Sequence, residues 1–251
     1  MKIITKSKYK SYIIRKLLGL VYRLENIGSG DIKQSGEISF IKDISKYYVD
    51  NIIFFDIGAN LGEYSMAVID SRNGKSDSYH LFEPQKSCFS ELGKKLSNNN
   101  SVTLNNIGLS DTTTDTIIYK DHEKSGLTSL YKRNLDYYGM KMNIEEKIHL
   151  DTALNYIERH KIKKINFIKI DVEGNELKTL NGFGKYLNPD FIDFIQFEYG
   201  GANIDSHVNL LDFYILFEKN GFKIYKMMKN GLENFVCQNY IAISNKIYKS
   251  F

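Results

Sequence analysis

Ile52-Ile53-Phe54-Phe55-Asp56-Ile57-Gly58-Ala59-Asn60-Leu61-Gly62-Glu63-Tyr64 is the stretch that decides how this chain folds. An apolar run ends in an aspartate, a glycine turn follows, and a helical pattern begins at Tyr64. This reads as a strand, a turn and a helix start. Glycine at such a turn lets a ligand come close to the main chain. The helix N-terminus behind it favours negative charge. The spacing is G-x-N-x-G, not the G-x-G-x-x-G of a dinucleotide site. A plain βα turn would use the same glycines for geometry alone, so companion residues must separate the two readings.

A companion follows. Ser78-Tyr79-His80-Leu81-Phe82 reads as a second strand ending in Glu83-Pro84. In nucleotide-binding α/β folds an acid about twenty positions after the glycine turn accepts hydrogen bonds from ribose hydroxyls. Glu83 occupies that place. It could instead be a helix N-terminal carboxylate ahead of the helical pattern Lys86–Leu96. With Asp56 and Gly62 placed, the ribose role is the better reading.

The 251 residues suit one α/β domain with an insertion or tail. A composition of 42% hydrophobic and 25% charged residues is that of an ordinary globular protein. The net charge of +4 leans weakly towards anionic partners. It falls short of the concentrated basic footprint of a nucleic-acid binder. Cys88 and Cys237 make neither a disulfide framework nor a zinc motif. A reducing, cytoplasmic setting fits them. No stretch approaches the ~18 apolar residues of a membrane span, and the first residues do not read as a signal peptide. Ser7–Glu25 reads as a basic amphipathic helix, taken here as packed on the domain. Its alternative is a weak peripheral contact with a membrane.

Gly28-Ser29-Gly30-Asp31 marks a break. It divides a basic helical segment, 1–30, from the main domain, 31–251. From Asn51 onward, apolar runs at Ile52–Phe55, Ser78–Phe82, Val102–Asn106, Asn166–Ile170 and Phe191–Phe197 alternate with helical patterns. The helical patterns are Tyr64–Ile69, Lys86–Leu96, Asp151–His160 and Glu176–Leu180. Such alternation predicts a mainly parallel sheet covered on both faces. Beyond it, His207–Lys219 reads as a helix. Phe222–Met228 and Phe235–Ser244 read as a hairpin turning at Lys229-Asn230-Gly231. Asp111–Lys147 breaks the alternation and reads as a β-rich insertion, with Ser125-Gly126-Leu127-Thr128-Ser129-Leu130 at its middle. Long irregular segments in a compact domain are usually functional.

These pieces occur in a telling order. Asp56 to Ser65 is followed by Phe82-Glu83-Pro84, then Asn106-Ile107-Gly108-Leu109-Ser110-Asp111, then Ser129-Leu130 and Leu150-Asp151. Ile168-Lys169-Ile170-Asp171-Val172-Glu173-Gly174-Asn175-Glu176 and Leu180-Asn181-Gly182 complete it. The series resembles the FkbM family of S-adenosylmethionine-dependent methyltransferases, over roughly Asn51 to Ser244. The I-D-V-E-G-x-E block is its most specific part. The resemblance implies a Rossmann-like class I α/β fold, with a mainly parallel seven-stranded sheet ending in an antiparallel pair. It also implies O-methylation, mostly of sugars, polysaccharide units and secondary metabolites. By matching positions, Asp56, Gly58, Asn60, Gly62 and Tyr64 would line the methionine part of S-adenosylmethionine. Glu83 and Pro84 would hold the ribose, and Asn106, Gly108 and Ser110 would run along the adenine. Asp171 would lie between cofactor and acceptor. Many members carry alanine where Gly108 stands here. Many also carry a histidine soon after the position of Glu198, whereas the nearest here is His207.

The chemistry can be argued separately. A sulfonium methyl is already activated, so aligning the acceptor with it is the main task. A sugar hydroxyl loses its proton during attack, and a positioned carboxylate or imidazole would assist. Asp171 ends the fourth strand and Glu198 the fifth, so they are the candidate bases, with His207 third. Glu173 and Glu176 read as helix N-terminal acids, His80 as structural, and His122 and His149 as solvated. Some sugar O-methyltransferases use a divalent metal, to which Asp171 and Glu198 could contribute; no tight ligand cluster is visible in the sequence, so a metal is not the expected reading but stays open. Tyr131, Tyr137 and Tyr138 could stack on a sugar ring or pack the insertion. The expected acceptor is a sugar or nucleotide-linked sugar, for a capsule or other surface polysaccharide of a bacterium. The alternatives are a non-sugar metabolite or a cofactor-binding protein with a degenerate site. Nucleic-acid methylation is disfavoured because neither Pro84 nor Pro189 stands in a suitable motif.

Overall fold

Side chains alternate along β1, Ile53–Ile57: Phe54 faces one layer of helices and Phe55 the other, and both are fully buried. The same alternation holds in β7, Ile165–Ile170, and β8, Ile192–Phe197. A strand with both faces covered reads as a near-continuous apolar run. The computed structural model describes residues 8–24, 32, 35–229, 231–233 and 240–244.

In chain order the remaining elements begin with α1, Lys8–Leu24, and α2, Glu37–Tyr47. After β1 come α3, Glu63–Ser71; β2, Ser78–Phe82; α4, Lys86–Leu96; and β3, Val102–Asn105. Next are β4, Gly108–Ser110; β5, Thr114–Lys120; β6, Ile144–Thr152; and α5, Ala153–His160. Between β7 and β8 lies α6, Glu176–Asn181. Beyond β8 come α7, Gly201–Asp205; α8, Leu210–Lys219; β9, Phe222–Met228; β10, Gly231–Glu233; and β11, Tyr240–Ser244.

The main sheet has the order β10-β9-β11-β8-β7-β1-β2-β3. Its five strands from β8 to β3 are parallel, and β11 runs antiparallel to both β8 and β9. Helices α2, α3 and α4 cover one face, and α5, α6 and α8 the other. Phe54, Phe167 and Phe194 stand in register across β1, β7 and β8. The Phe40 ring of α2 packs edge-on against two of them, at 5.5 and 6.0 Å between ring centres. That contact docks α2 beside the glycine turn. The insertion forms a second sheet of β4, β6 and β5.

Local chemistry sets the helix ends. Thr152 caps α5 by accepting the Asn155 N–H at 3.1 Å. Asn209 opens α8 in a reciprocal box with Asp212. The helix expected from His207 therefore starts at Leu210. Asp205 ends α7 and accepts a hydrogen bond from Arg133 at 3.2 Å.

After β9 the chain turns into the short edge strand β10, which adds an eighth strand to the seven expected. The strand expected over Phe235–Ser244 pairs antiparallel with β9 over Tyr240–Ser244, as a hairpin partner should, and lies between β9 and β8; 235–239 lie outside the described residues. Asn230 and the break at 28–31 lie outside the described residues. Helix α2 was not anticipated at all, although Ile38, Ile41 and Ile44 recur on one face. Nor is α1 packed as expected: Tyr9, Tyr12, Leu17 and Leu20 are each more than half exposed.

Candidate active site

Gly58 brings the ends of the central strands together. Its φ is 87°, and a Cβ there would lie 1.9 Å from the Asp171 carbonyl oxygen. Only glycine fits such a turn. Its N–H donates to the Phe82 carbonyl at 3.0 Å, which draws in the end of β2. Gly62 opens α3 at φ 79°, where a side chain would strike Leu92 at 2.5 Å. The glycines therefore serve close packing as well as access.

A partly open cavity lies over this turn. Of the residues singled out from the sequence, Gly58, Asn60, Glu83, Pro84, Gly108 and Asp171 line it. Leu109, Ile118, Leu130, Ile148 and Leu150 supply an apolar side, so the insertion sheet forms one wall. Ser125, Gly126 and Thr128 of the insertion close it further. The Glu83 carboxylate accepts the N–H of Asn60 at 2.8 Å and of Gln85 at 2.7 Å. Burial nevertheless pushes its pKa up to about 7. Asn106 Nδ2 donates to the carbonyls of Glu83 and Pro84, so it braces the strand end from outside. Ser110 does not line this cavity: its hydroxyl meets Asn175 Nδ2 at 3.3 Å. At Gly108 a Cβ would come within 2.6 Å of Leu150 Cδ2, so alanine would crowd the apolar side.

A second, more polar space shares Gly58, Asn60, Gly126 and Asp171 with the first. Glu37, Tyr64 and Lys169 line its far side. Asp56, Lys169 and Gln196 stand in register across β1, β7 and β8, directly beyond the phenylalanine row. Lys169 Nζ lies 3.1 Å from Asp171 Oδ2 and 3.9 Å from Asp56 Oδ1. It also sits 5.1 Å from the Tyr64 ring centre. Tyr64 donates its hydroxyl proton to Gln196, whose Nε2 donates to Glu37 at 2.7 Å. Burial opposes the Lys169 charge, but Asp171, Asp56 and Glu37 outweigh it and hold the ammonium above the ordinary lysine range. Asp56 is fully buried, accepts from Ser65, and has its pKa raised by burial. It lines neither space and acts through the sheet.

Three acidic residues gather at the carboxyl ends of β7 and β8. Carboxylate oxygens of Asp171, Glu173 and Glu198 all lie within 4.8 Å of one another. Asp171 and Glu198 stand at the ends of neighbouring strands, and the pairing of β8 with β7 brings them and Glu173 together. Asp171 and Glu198 share a hydrogen bond. The Asp171 charge, followed by burial, raises the Glu198 pKa far above the usual carboxylate range. Burial pushes Asp171 upward too, but the Lys169 ammonium and the hydrogen bond from Glu198 prevail and lower its pKa. The two shifts run in opposite directions, which favours the proton on Glu198 and the charge on Asp171. Burial and the Asp171 charge push Glu173 to about 7, against an ion pair with Arg133 at 2.7 Å. Glu176 closes the turn by accepting the N–H of Val172 and of Gly174, at 3.1 and 3.0 Å. His207 is exposed on the turn after α7, outside both spaces.

Lys169, Glu37, Gln85 and Arg133 were missed in the sequence. A lysine inside the apolar run Ile165–Ile170 was the available signal for Lys169. Glu37 and Arg133 lie far from the motifs in sequence and carried none.

Residues 56–225 match the family described as the methyltransferase FkbM domain. No curated protein matches the sequence. Among solved structures, the fold is similar to a methyltransferase FkbM from Methylobacillus flagellatus KT. The TM-score is 0.51 and the identity 14%, over 94% of this chain and 61% of that one. A putative O-methyltransferase from Klebsiella pneumoniae gives a TM-score of 0.49 at 13% identity, over 95% of this chain and 97% of that one. A parallel α/β sheet with a glycine turn beneath a ligand cavity is the architecture of a Rossmann-like methyltransferase. The chain belongs to the FkbM methyltransferase family, whose cofactor is S-adenosylmethionine.

The first cavity fits the nucleoside end of that cofactor. Gln85 Nε2, a donor, and Asn175 Oδ1, an acceptor, are buried without hydrogen-bond partners among the described residues, and both residues line it. A heteroaromatic base with ring-nitrogen acceptors and an amino donor would satisfy both.

Proposed function

We propose that this chain transfers a methyl group from S-adenosylmethionine to a hydroxyl of a sugar, either nucleotide-linked or part of a surface polysaccharide. The observation that carries this reading is the Asp171 carboxylate, held 3.1 Å from Lys169 Nζ. It lies at the end of β7 and lines both spaces. The bound cofactor supplies an activated methyl group on a sulfonium centre.

The chain supplies position and a proton acceptor. Glu83 would take the ribose hydroxyls, while Gln85 and Asn175 would meet the adenine between the apolar side chains of the insertion. Lys169 would hold the carboxylate of the methionine part and Glu37 its ammonium group, as their opposite charges suit. Asp171 accepts the acceptor hydroxyl proton as attack proceeds, worth typically 10²–10⁴-fold. Lys169 keeps Asp171 ionised, and Glu198 steadies it by donating its own proton. Carboxylates, Arg133 and Asn203 around Glu198 make a polar wall, suited to a hydroxyl-rich acceptor.

The test is an acceptor screen scored by S-adenosylhomocysteine release and by the mass of the methylated product. Nucleotide sugars should turn over and catechol-like phenols should not. Turnover confined to phenols would overturn the sugar reading. Cofactor binding without turnover of any hydroxyl compound would overturn the transferase reading.

A further inference from the structure

The methyltransferase site leaves α1 without a role. This helix carries Lys8, Lys10, Arg15, Lys16 and Arg23, and no acidic residue. At 100° per residue, Tyr9, Leu20, Ile13, Leu17, Val21 and Leu18 spread over about half of its circumference. Each of these is at least about two-fifths exposed. Lys8, Arg15, Lys16 and Arg23 fall on the other half with Tyr12, and Lys10 is the one basic position inside the apolar arc.

We propose that α1 binds in the plane of an anionic bilayer surface, its apolar half sunk among the acyl chains and its basic half against the lipid headgroups. A basic amphipathic helix of this kind is the form that lies at a membrane interface. Its 17 residues rise about 25 Å, short of the ~30 Å hydrocarbon core, and Arg15-Lys16 interrupt the apolar sequence midway. Among the described residues no helix is long and apolar enough to cross a membrane. A second copy of α1 is a poorer occupant. The apolar arc is wider than a two-helix seam, and pairing would bring like charges together with no acid to offset them. The proposal is independent of the methyl acceptor.

The test is co-sedimentation of the full chain with phosphatidylcholine vesicles, with and without a third of the lipid replaced by phosphatidylglycerol. The chain should bind the anionic vesicles at low salt, at least tenfold more weakly in high salt, and barely bind neutral ones. Arg15→Gln with Lys16→Gln should weaken binding roughly 30-fold, at about fivefold per surface charge. Ile13→Asp with Leu17→Asp should abolish it. Unchanged titration with S-adenosylhomocysteine shows that each variant is folded. The proposal is overturned if the native chain ignores anionic vesicles, or if the double aspartate variant binds them equally well. It is also overturned if the native chain self-associates through α1 and stays off the vesicles.

Discussion

Glu83→Ala removes a carboxylate whose oxygens accept the N–H of Asn60 and of Gln85. Those bonds use about two of its four acceptor sites, and the other two remain for ribose hydroxyls. A hydrogen bond to a charged group contributes about 1.5–3 kcal/mol net, so two hydroxyls would contribute about 3–6 kcal/mol. Part of this is offset, because the free carboxyl has a pKa of about 7 and must shed its proton to bind. A net loss of about 3 kcal/mol is expected, or roughly 150-fold weaker binding. The assay is calorimetric titration with S-adenosylhomocysteine across pH. In the native protein the complex needs the carboxylate, while the free protein holds a proton below about pH 7. Affinity should therefore be level above that pH and fall by up to about tenfold per unit below it. Glu83→Ala should flatten this profile. A folded variant that binds within threefold of native, or keeps the acid-side fall, would refute the ribose assignment.

Asp171→Asn should cut the turnover number by about 10²–10⁴-fold. Glu198→Gln, which still donates a hydrogen bond to Asp171, should cost much less; the reverse order in steady-state rates would make Glu198 the base. Lys169→Met removes the cation that keeps Asp171 ionised. The acid limb of the rate–pH profile should then move to higher pH, and an unmoved limb would refute that role. Losing one partner of a buried ion pair should also cost about 3–5 kcal/mol in urea unfolding. Gly58→Ala puts a Cβ against the Asp171 carbonyl at positive φ, so it should cost more than about 3 kcal/mol, and a native urea midpoint would show the turn to be less tight.

Much of the fold was legible because it rests on local patterns. The runs before Asp56 and Glu83 are strands, and Lys86–Leu96 is a helix to the residue. Period-two burial and glycine punctuation suffice for that. Gly58, Asn60, Glu83 and Pro84 line the first cavity and could be singled out in advance because each sits at a strand end or in the stretch that follows it. Tertiary structure alone decided the rest. Lys169 meets Asp56 only because β7 pairs with β1 in that register, and Glu198 meets Asp171 only because β8 lies beside β7. Glu37 enters the site because Phe40 docks α2 on the phenylalanine row, and Arg133 because the insertion folds back over Glu173. Lys169 lowers the Asp171 pKa, while the Asp171 charge and burial raise that of Glu198. Periodicity and turn chemistry act over a few residues and so are written in the sequence, whereas strand register and through-space electrostatics join residues far apart in the chain and exist only once it has folded.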